Sequence, residues 1–238
     1  MADELSAIRE ELRDAAEPDR VADLQRFFKT GPGGYGEGDT FIGVRVPACR
    51  RVVRAHRGLP LDDCLRLLES PVHEERLVGL LLMVHLFESD PERRRDVYDA
   101  YLAHTGRIDN WDLVDLSCPR IVGTFLLDRS RRPLYRLARS ELIWERRIAI
   151  VSTMALIAAG ELDDTFAISE RLLDDDHDLI HKACGWMLRE AGKRDEERLV
   201  AFVGEHAPVM PRVMLRYAIE RLDPKTRARL MAIPRATA

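Results

Sequence analysis

The chain repeats itself at long range. Strongly apolar, helix-forming stretches begin near residues 74, 111, 143, 178 and 211, at intervals of 37, 32, 35 and 33 residues. Each interval holds a pair of helices. Self-similarity at this period is the mark of a helical solenoid, whose pairs cannot bury their apolar faces alone and therefore stack. The expected fold is all-α, a curved superhelix in which residues 1–238 form one domain. One helix of each pair then lines a concave face, which suits an extended ligand better than a small molecule in a deep pocket.

Apolar residues spaced three and four apart predict helices over 50–56, 61–68, 74–87, 91–104 and 111–122. The same spacing continues over 132–137, 142–159, 164–173, 178–190, 196–206 and 211–222. Residues 4–29 read as two helices broken near Glu17-Pro18, with Leu24, Phe27 and Phe28 forming an apolar patch. Ser70-Pro71, Ser89-Asp90-Pro91 and Asp223-Pro224 have the form of a cap followed by Pro at the first helical position. No stretch alternates as a strand would. The clear loop is Gly31-Pro32-Gly33-Gly34-Tyr35-Gly36-Glu37-Gly38-Asp39, with five glycines in nine residues. It lacks the Gly-Lys-Ser/Thr ending of a phosphate-binding loop. Glu37 and Asp39 are too few carboxylates to claim a cation, so it reads as a connector.

Composition excludes several classes. Of 238 residues, 46% are hydrophobic and 33% charged, as in soluble globular chains rather than disordered ones. No apolar run approaches the roughly 20 residues that cross a bilayer. The acidic start Met1-Ala2-Asp3-Glu4-Leu5 is unlike a signal peptide. Cys49, Cys64, Cys118 and Cys184 have no paired spacing and read as reduced thiols of a cytoplasmic protein. His177 and His181 lie one turn apart without a third ligand nearby, so no metal is expected.

The net charge of −4 argues by itself against a nucleic-acid partner, but the charges are segregated. Residues 129–147 hold seven arginines and two acids, and residues 212–229 hold six basic residues and two acids. Residues 161–178 hold eight acids and one arginine. Such a chain can present one positive surface, or these are simply solvated helix faces.

Three segments carry candidate chemistry. In Asn110-Trp111-Asp112-Leu113-Val114-Asp115, the i, i+4 spacing puts Trp111 and Asp115 on one helix face. Either the pair is exposed and holds a flat or cationic group against a negative charge, or Trp111 is core and Asp115 is bonded to a neighbouring Arg. In Trp144-Glu145-Arg146-Arg147, Ile148 and Ile150 build the buried side. Trp144 is expected in the core, and Arg147 must emerge or be paired. In Lys182-Ala183-Cys184-Gly185-Trp186-Met187-Leu188-Arg189-Glu190, a mid-helix Gly185 costs about 1 kcal/mol against Ala, so something close to the backbone requires it. Arg147, Lys182 and Arg212 stand at comparable points of consecutive repeats, and such a row can follow a phosphate backbone.

Together with Gly36-Glu37-Gly38-Asp39-Thr40-Phe41-Ile42-Gly43-Val44, these segments closely resemble the AlkD-like DNA alkylation repair glycosylases, over nearly the whole chain. The resemblance implies HEAT-like repeats and a monofunctional glycosylase. Its substrates would be cationic N3- and N7-alkylated purines in double-stranded DNA, leaving without strand cleavage or a cofactor. It implies that Trp111, Asp115 and Arg147 form the lesion-side cluster, that Trp186 lies beside the same nucleotide and that Arg189 contacts the backbone. Lys182, Arg212 and Phe27 complete the expected DNA-binding set, with Phe27 standing where some members carry a tyrosine. No membrane or metal is expected, and a monomer is. The alternative is a non-catalytic helical-repeat module that binds DNA structures.

Overall fold

The computed structural model describes residues 4–236, so residues 1–3 of the acidic start lie outside the described part. Among the described residues the regular structure is helical, apart from one isolated bridge between Thr40 and Val72. The chain divides into two compact units, Met1–Ser117 and Cys118–Ala238.

The first unit contains α1 (Glu4–Asp14), α2 (Val21–Phe27), α3 (Val46–Ala55), α4 (Leu61–Leu68), α5 (His73–Ser89), α6 (Arg94–Ala103) and α7 (Trp111–Cys118), whose last residue opens the second unit. Its centre is α5. The run Leu80-Leu81-Leu82-Met83-Val84 leaves this helix no polar face, and it is buried on nearly every side. Around it pack α1, α3, α4 and α6. Glu17-Pro18 breaks the N-terminal helices as expected, through a 3-10 turn over Pro18–Arg20.

The second unit contains α8 (Arg132–Leu137), α9 (Ile143–Val151), α10 (Thr153–Ala158), α11 (Asp163–Arg171), α12 (Asp178–Gly192), α13 (Glu196–His206), α14 (Arg212–Ala218) and α15 (Pro224–Met231). Here the repeat is visible as packing. The helices pair as α8 with α9, α11 with α12 and α13 with α14. The second helix of each pair then stacks on the second helix of the next, α9 on α12 and α12 on α14. This is the nearest-neighbour stacking of HEAT-like repeats. The repeat starts expected near 74, 111, 143, 178 and 211 fall at His73, Trp111, Ile143, Asp178 and Arg212.

Some boundaries differ from expectation. The helix over 111–122 stops at Cys118 and passes into a π-turn over Pro119–Gly123, because Pro119 has no N–H for the α ladder. The helix over 142–159 divides at Ser152, although that residue keeps helical dihedrals of φ −59° and ψ −24°. The helix over 211–222 ends at Ala218. Ser70-Pro71 does not cap α5: the Ser70 hydroxyl accepts from the N–H of Val72, and the helix starts at His73. Asp90 and Asp223 do cap, accepting from Glu92 and from Lys225 and Thr226.

Candidate active site

The N-terminus of α7 is built by side chains that fold back on it. Asn110 Oδ1 accepts the N–H of Trp111 at 2.9 Å, and Asp112 Oδ1 accepts that of Leu113 at 2.9 Å. Leu113 and Val114 are fully buried, which turns Trp111 and Asp115 toward the other side, where both are partly exposed. Both therefore present to one opening, a cavity of about 520 Å³ in the first unit. Its walls include Leu24, Phe27, Phe28, Phe41, Val46 and Leu77, so it is mostly apolar and aromatic, and Asp115 is among its carboxylates.

The aromatic wall is a ladder. Trp111 stacks on Phe28 with centroids 5.2 Å apart and planes 19° apart, and Phe28 stacks on Phe41 at 4.9 Å. Phe41 stacks on His73 at 4.3 Å. Phe27 stands edge-on to Trp111 at 5.7 Å and is 63% exposed. The glycine loop holds this end of α2 in place. Lys29 follows Phe28 with φ +51°, a left-handed close to the helix. The Tyr35 hydroxyl donates to the carbonyl of Phe27 at 3.1 Å. A Cβ on Gly36 would lie 2.5 Å from the Phe28 carbonyl oxygen, which is why glycine is needed there. Glu37 accepts from the N–H of Gly33 inside the loop.

Behind the ladder lies a charged network that the spacing of its residues in the sequence had hidden. His73 is 2% exposed, and its Nδ1 and Nε2 reach Asp39 at 2.7 Å and Asp112 at 2.9 Å. Burial alone would lower the His73 pKa, but the hydrogen bonds and charges of the two aspartates outweigh it and raise it to about 9. The ring is therefore an imidazolium at neutral pH and donates from both nitrogens. Arg76 donates to Asp39 at 2.8 Å and to Asp109 at 2.9 Å. Burial would raise Asp39, yet His73 and Arg76 hold it below its usual range. Asp39, weighed from sequence as a cation ligand, is instead an anchor for His73 and Arg76. The next residue of α5, Glu74, is also buried. Its carboxylate accepts the N–H groups of Ile42, Gly43 and Val44 at 2.8–3.2 Å, fixing the segment that forms the cavity's far wall. A His followed by acids at a helix start was the available signal, but nothing near it names the partners 34 and 39 residues away.

Phe27, Trp111 and Asp115 thus share one cavity. The other expected residues belong to the second unit. Lys182, Trp186 and Arg189 fall on one face of α12, and Lys182 and Trp186 are partly exposed. Lys182 pairs with Asp178, and Arg189 with Glu190 and Glu220. Arg212 donates to the carbonyl of Met231 at 2.9 Å. Arg147 does not emerge: it is 5% exposed and donates to the Leu179 carbonyl at the start of α12, at 2.7 Å. The expected row of basic residues is therefore exposed only in part, at Lys182 and Arg212. Trp144 is in the core as expected, at 4% exposure. Gly185 has the close neighbour its position implied. A Cβ there would lie 2.5 Å from Tyr217 Cβ and 2.6 Å from the Met214 carbonyl oxygen of α14. His177 caps α12 by accepting from Leu179 N–H, and His181 bonds the Asp175 carbonyl. No helix among the described residues is long and apolar enough to cross a membrane.

No curated protein matches the chain. A solved structure described as a predicted DNA alkylation repair enzyme from Enterococcus faecalis superposes with a TM-score of 0.66, covering 88% of this chain and 97% of its own. At 17% identity the likeness is one of fold. The family model for DNA alkylation repair enzymes matches residues 8–222, nearly the full length, and the chain accordingly belongs to the DNA alkylation repair enzyme family.

Proposed function

We propose that the protein is a monofunctional DNA glycosylase. It hydrolyses the N-glycosidic bond of cationic N3- and N7-alkylated purines, such as 3-methyladenine and 7-methylguanine, in duplex DNA and leaves the strand uncut. The observation that carries this reading is Trp111 and Asp115 one turn apart on α7, both on the wall of the aromatic cavity.

The chemistry follows from where charge develops. An alkylated purine already carries a positive charge and leaves without a general acid. What needs stabilising is the sugar, which becomes oxocarbenium-like as the bond lengthens. A carboxylate beside it lowers that barrier electrostatically and orients the attacking water. Asp112 is poorly suited, being buried with one oxygen on His73 and the other on Leu113 N–H. The role goes to Asp115, the partly exposed carboxylate of the same helix. The face of Trp111 packs against the cationic sugar and favours its charge, and Trp186 has the same capacity. Phe27 meets the lesion strand at the cavity mouth. Lys182, Arg189 and Arg212 bind the phosphate backbone by exchanging their present partners for it, and Arg147 supplies a fixed guanidinium.

The test is release of free base from N-methylated duplex by the purified protein, read by chromatography. If wild type releases neither 3-methyladenine nor 7-methylguanine, or if Asp115→Asn equals it, the reading is wrong. Salt-sensitive duplex binding without base release would leave a non-catalytic DNA-binding module.

A further inference from the structure

Between Asp39 and Asp62 the chain has no acidic residue and five arginines, Arg45, Arg50, Arg51, Arg54 and Arg57. Four of them follow Val46, the first residue of α3, and all four are exposed. None of the four makes an ion pair among the described residues. This is unusual for the first unit, where Arg9, Arg20, Arg26, Arg45, Arg66 and Arg76 all hold carboxylates.

The helix sorts these arginines. Ala48, Cys49 and Val52 point inward. Arg51 turns toward α1 and shares a shallow hollow with Glu11 and Asp14, which offset its charge. Arg50 and Arg54 lie on another line. They continue at i+4 and i+8 from Val46, and Val46 and Pro47 form part of the cavity wall. A stripe thus starts at the lip beside the aromatic cavity and runs outward as apolar, then basic, then basic. At 1.5 Å of rise per residue the two arginines are about 6 Å apart along the axis, a spacing on the scale of successive phosphates on one strand.

We propose that this face of α3 binds the phosphate backbone of duplex DNA next to the nucleotide held at the cavity, with Arg50 and Arg54 each neutralising one phosphate. The inference rests on the glycosylase reading for what occupies the cavity, but the binding itself is independent of catalysis. It adds a contact surface in the first unit to the basic residues of the second. An uncompensated guanidinium stripe fits a polyanion, because Arg50 and Arg54 are exposed and hold no carboxylate among the described residues.

The experiment measures affinity for unmodified duplex as a function of salt, for wild type, Arg50→Ala/Arg54→Ala and Arg51→Ala. Each phosphate contact contributes about 0.9 to the slope of log K against log salt. The double variant should bind more weakly at every salt concentration, with a slope shallower by about two. Arg51→Ala should match wild type. A double variant with wild-type affinity and slope overturns the proposal, as does a wild type that does not bind duplex. Wild type that binds with this slope but releases no base would sink the glycosylase reading and leave the α3 surface standing.

Discussion

His73 Nε2 donates to Asp112 Oδ2 at 2.9 Å, joining the start of α5 to the first turn of α7 immediately behind the helix face that carries Trp111 and Asp115. The opposite ring nitrogen is held by Asp39 at 2.7 Å. The imidazolium therefore clamps the glycine loop, the central helix and the site helix to one another.

Because the folded state raises the His73 pKa from 6.5 to about 9, its contribution to stability depends on pH with a definite sign. The stabilisation is fully present below the unfolded value near 6.5, declines above it and is gone once pH passes about 9. A shift of that size corresponds to an upper limit of roughly 3 kcal/mol. Thermal melts of wild type and His73→Gln from pH 6 to pH 10 should show a Tm gap that is widest at pH 6 and closes by about pH 9.5. A gap that stays constant across that range refutes the charged clamp.

Asp115→Ala should leave duplex affinity close to wild type and lower the single-turnover rate of base release by on the order of 10²–10³, the scale of losing one electrostatic stabiliser. Trp111→Ala should lower the rate and also loosen the Phe27–Phe28 wall that it stacks against. Measuring binding and release separately distinguishes the two variants.

Arg147→Ala should cost folding stability as well as activity. The side chain is buried and bonds the Leu179 carbonyl, so truncation removes that bond and opens a void. The expected loss is about 1–3 kcal/mol by chemical denaturation. A variant with unchanged stability would mean that the guanidinium is not held as described.

Gly185→Ala sets two effects against each other. Alanine gains about 1 kcal/mol of helix propensity. Its Cβ would overlap Tyr217 Cβ and the Met214 carbonyl, and backbone on backbone cannot swing aside. Overpacking of this kind costs about 1–3 kcal/mol, so the variant should melt lower than wild type despite the better helix former.

The helical repeat was legible because burial dictates it: every pair must cover its apolar face, and that need recurs about every 35 residues. Trp111 and Asp115 could be placed on one face because i, i+4 geometry is local. The rest of the site is not local. Phe28, Phe41, His73 and Trp111 become neighbours only when α2, the 41–47 segment, α5 and α7 pack, and no periodicity relates them. Asp39 illustrates the limit, since a carboxylate in a glycine loop invites a cation while its real partners, His73 and Arg76, lie more than 30 residues on. The burial of Arg147 was equally hidden, because the Leu179 carbonyl that accepts from it belongs to the next repeat.

The four thiols bear on the chemical setting proposed for this protein. Cys49, Cys64, Cys118 and Cys184 are all shut in the interior, none of them in a disulfide, and burial pushes Cys49 and Cys64 up to about 12. Only the thiolate is a strong nucleophile. Electrophiles that methylate purines consume such thiolates wherever they meet them. With its sulfhydryls shut in the interior, the fold should withstand the reagents whose lesions it is proposed to excise.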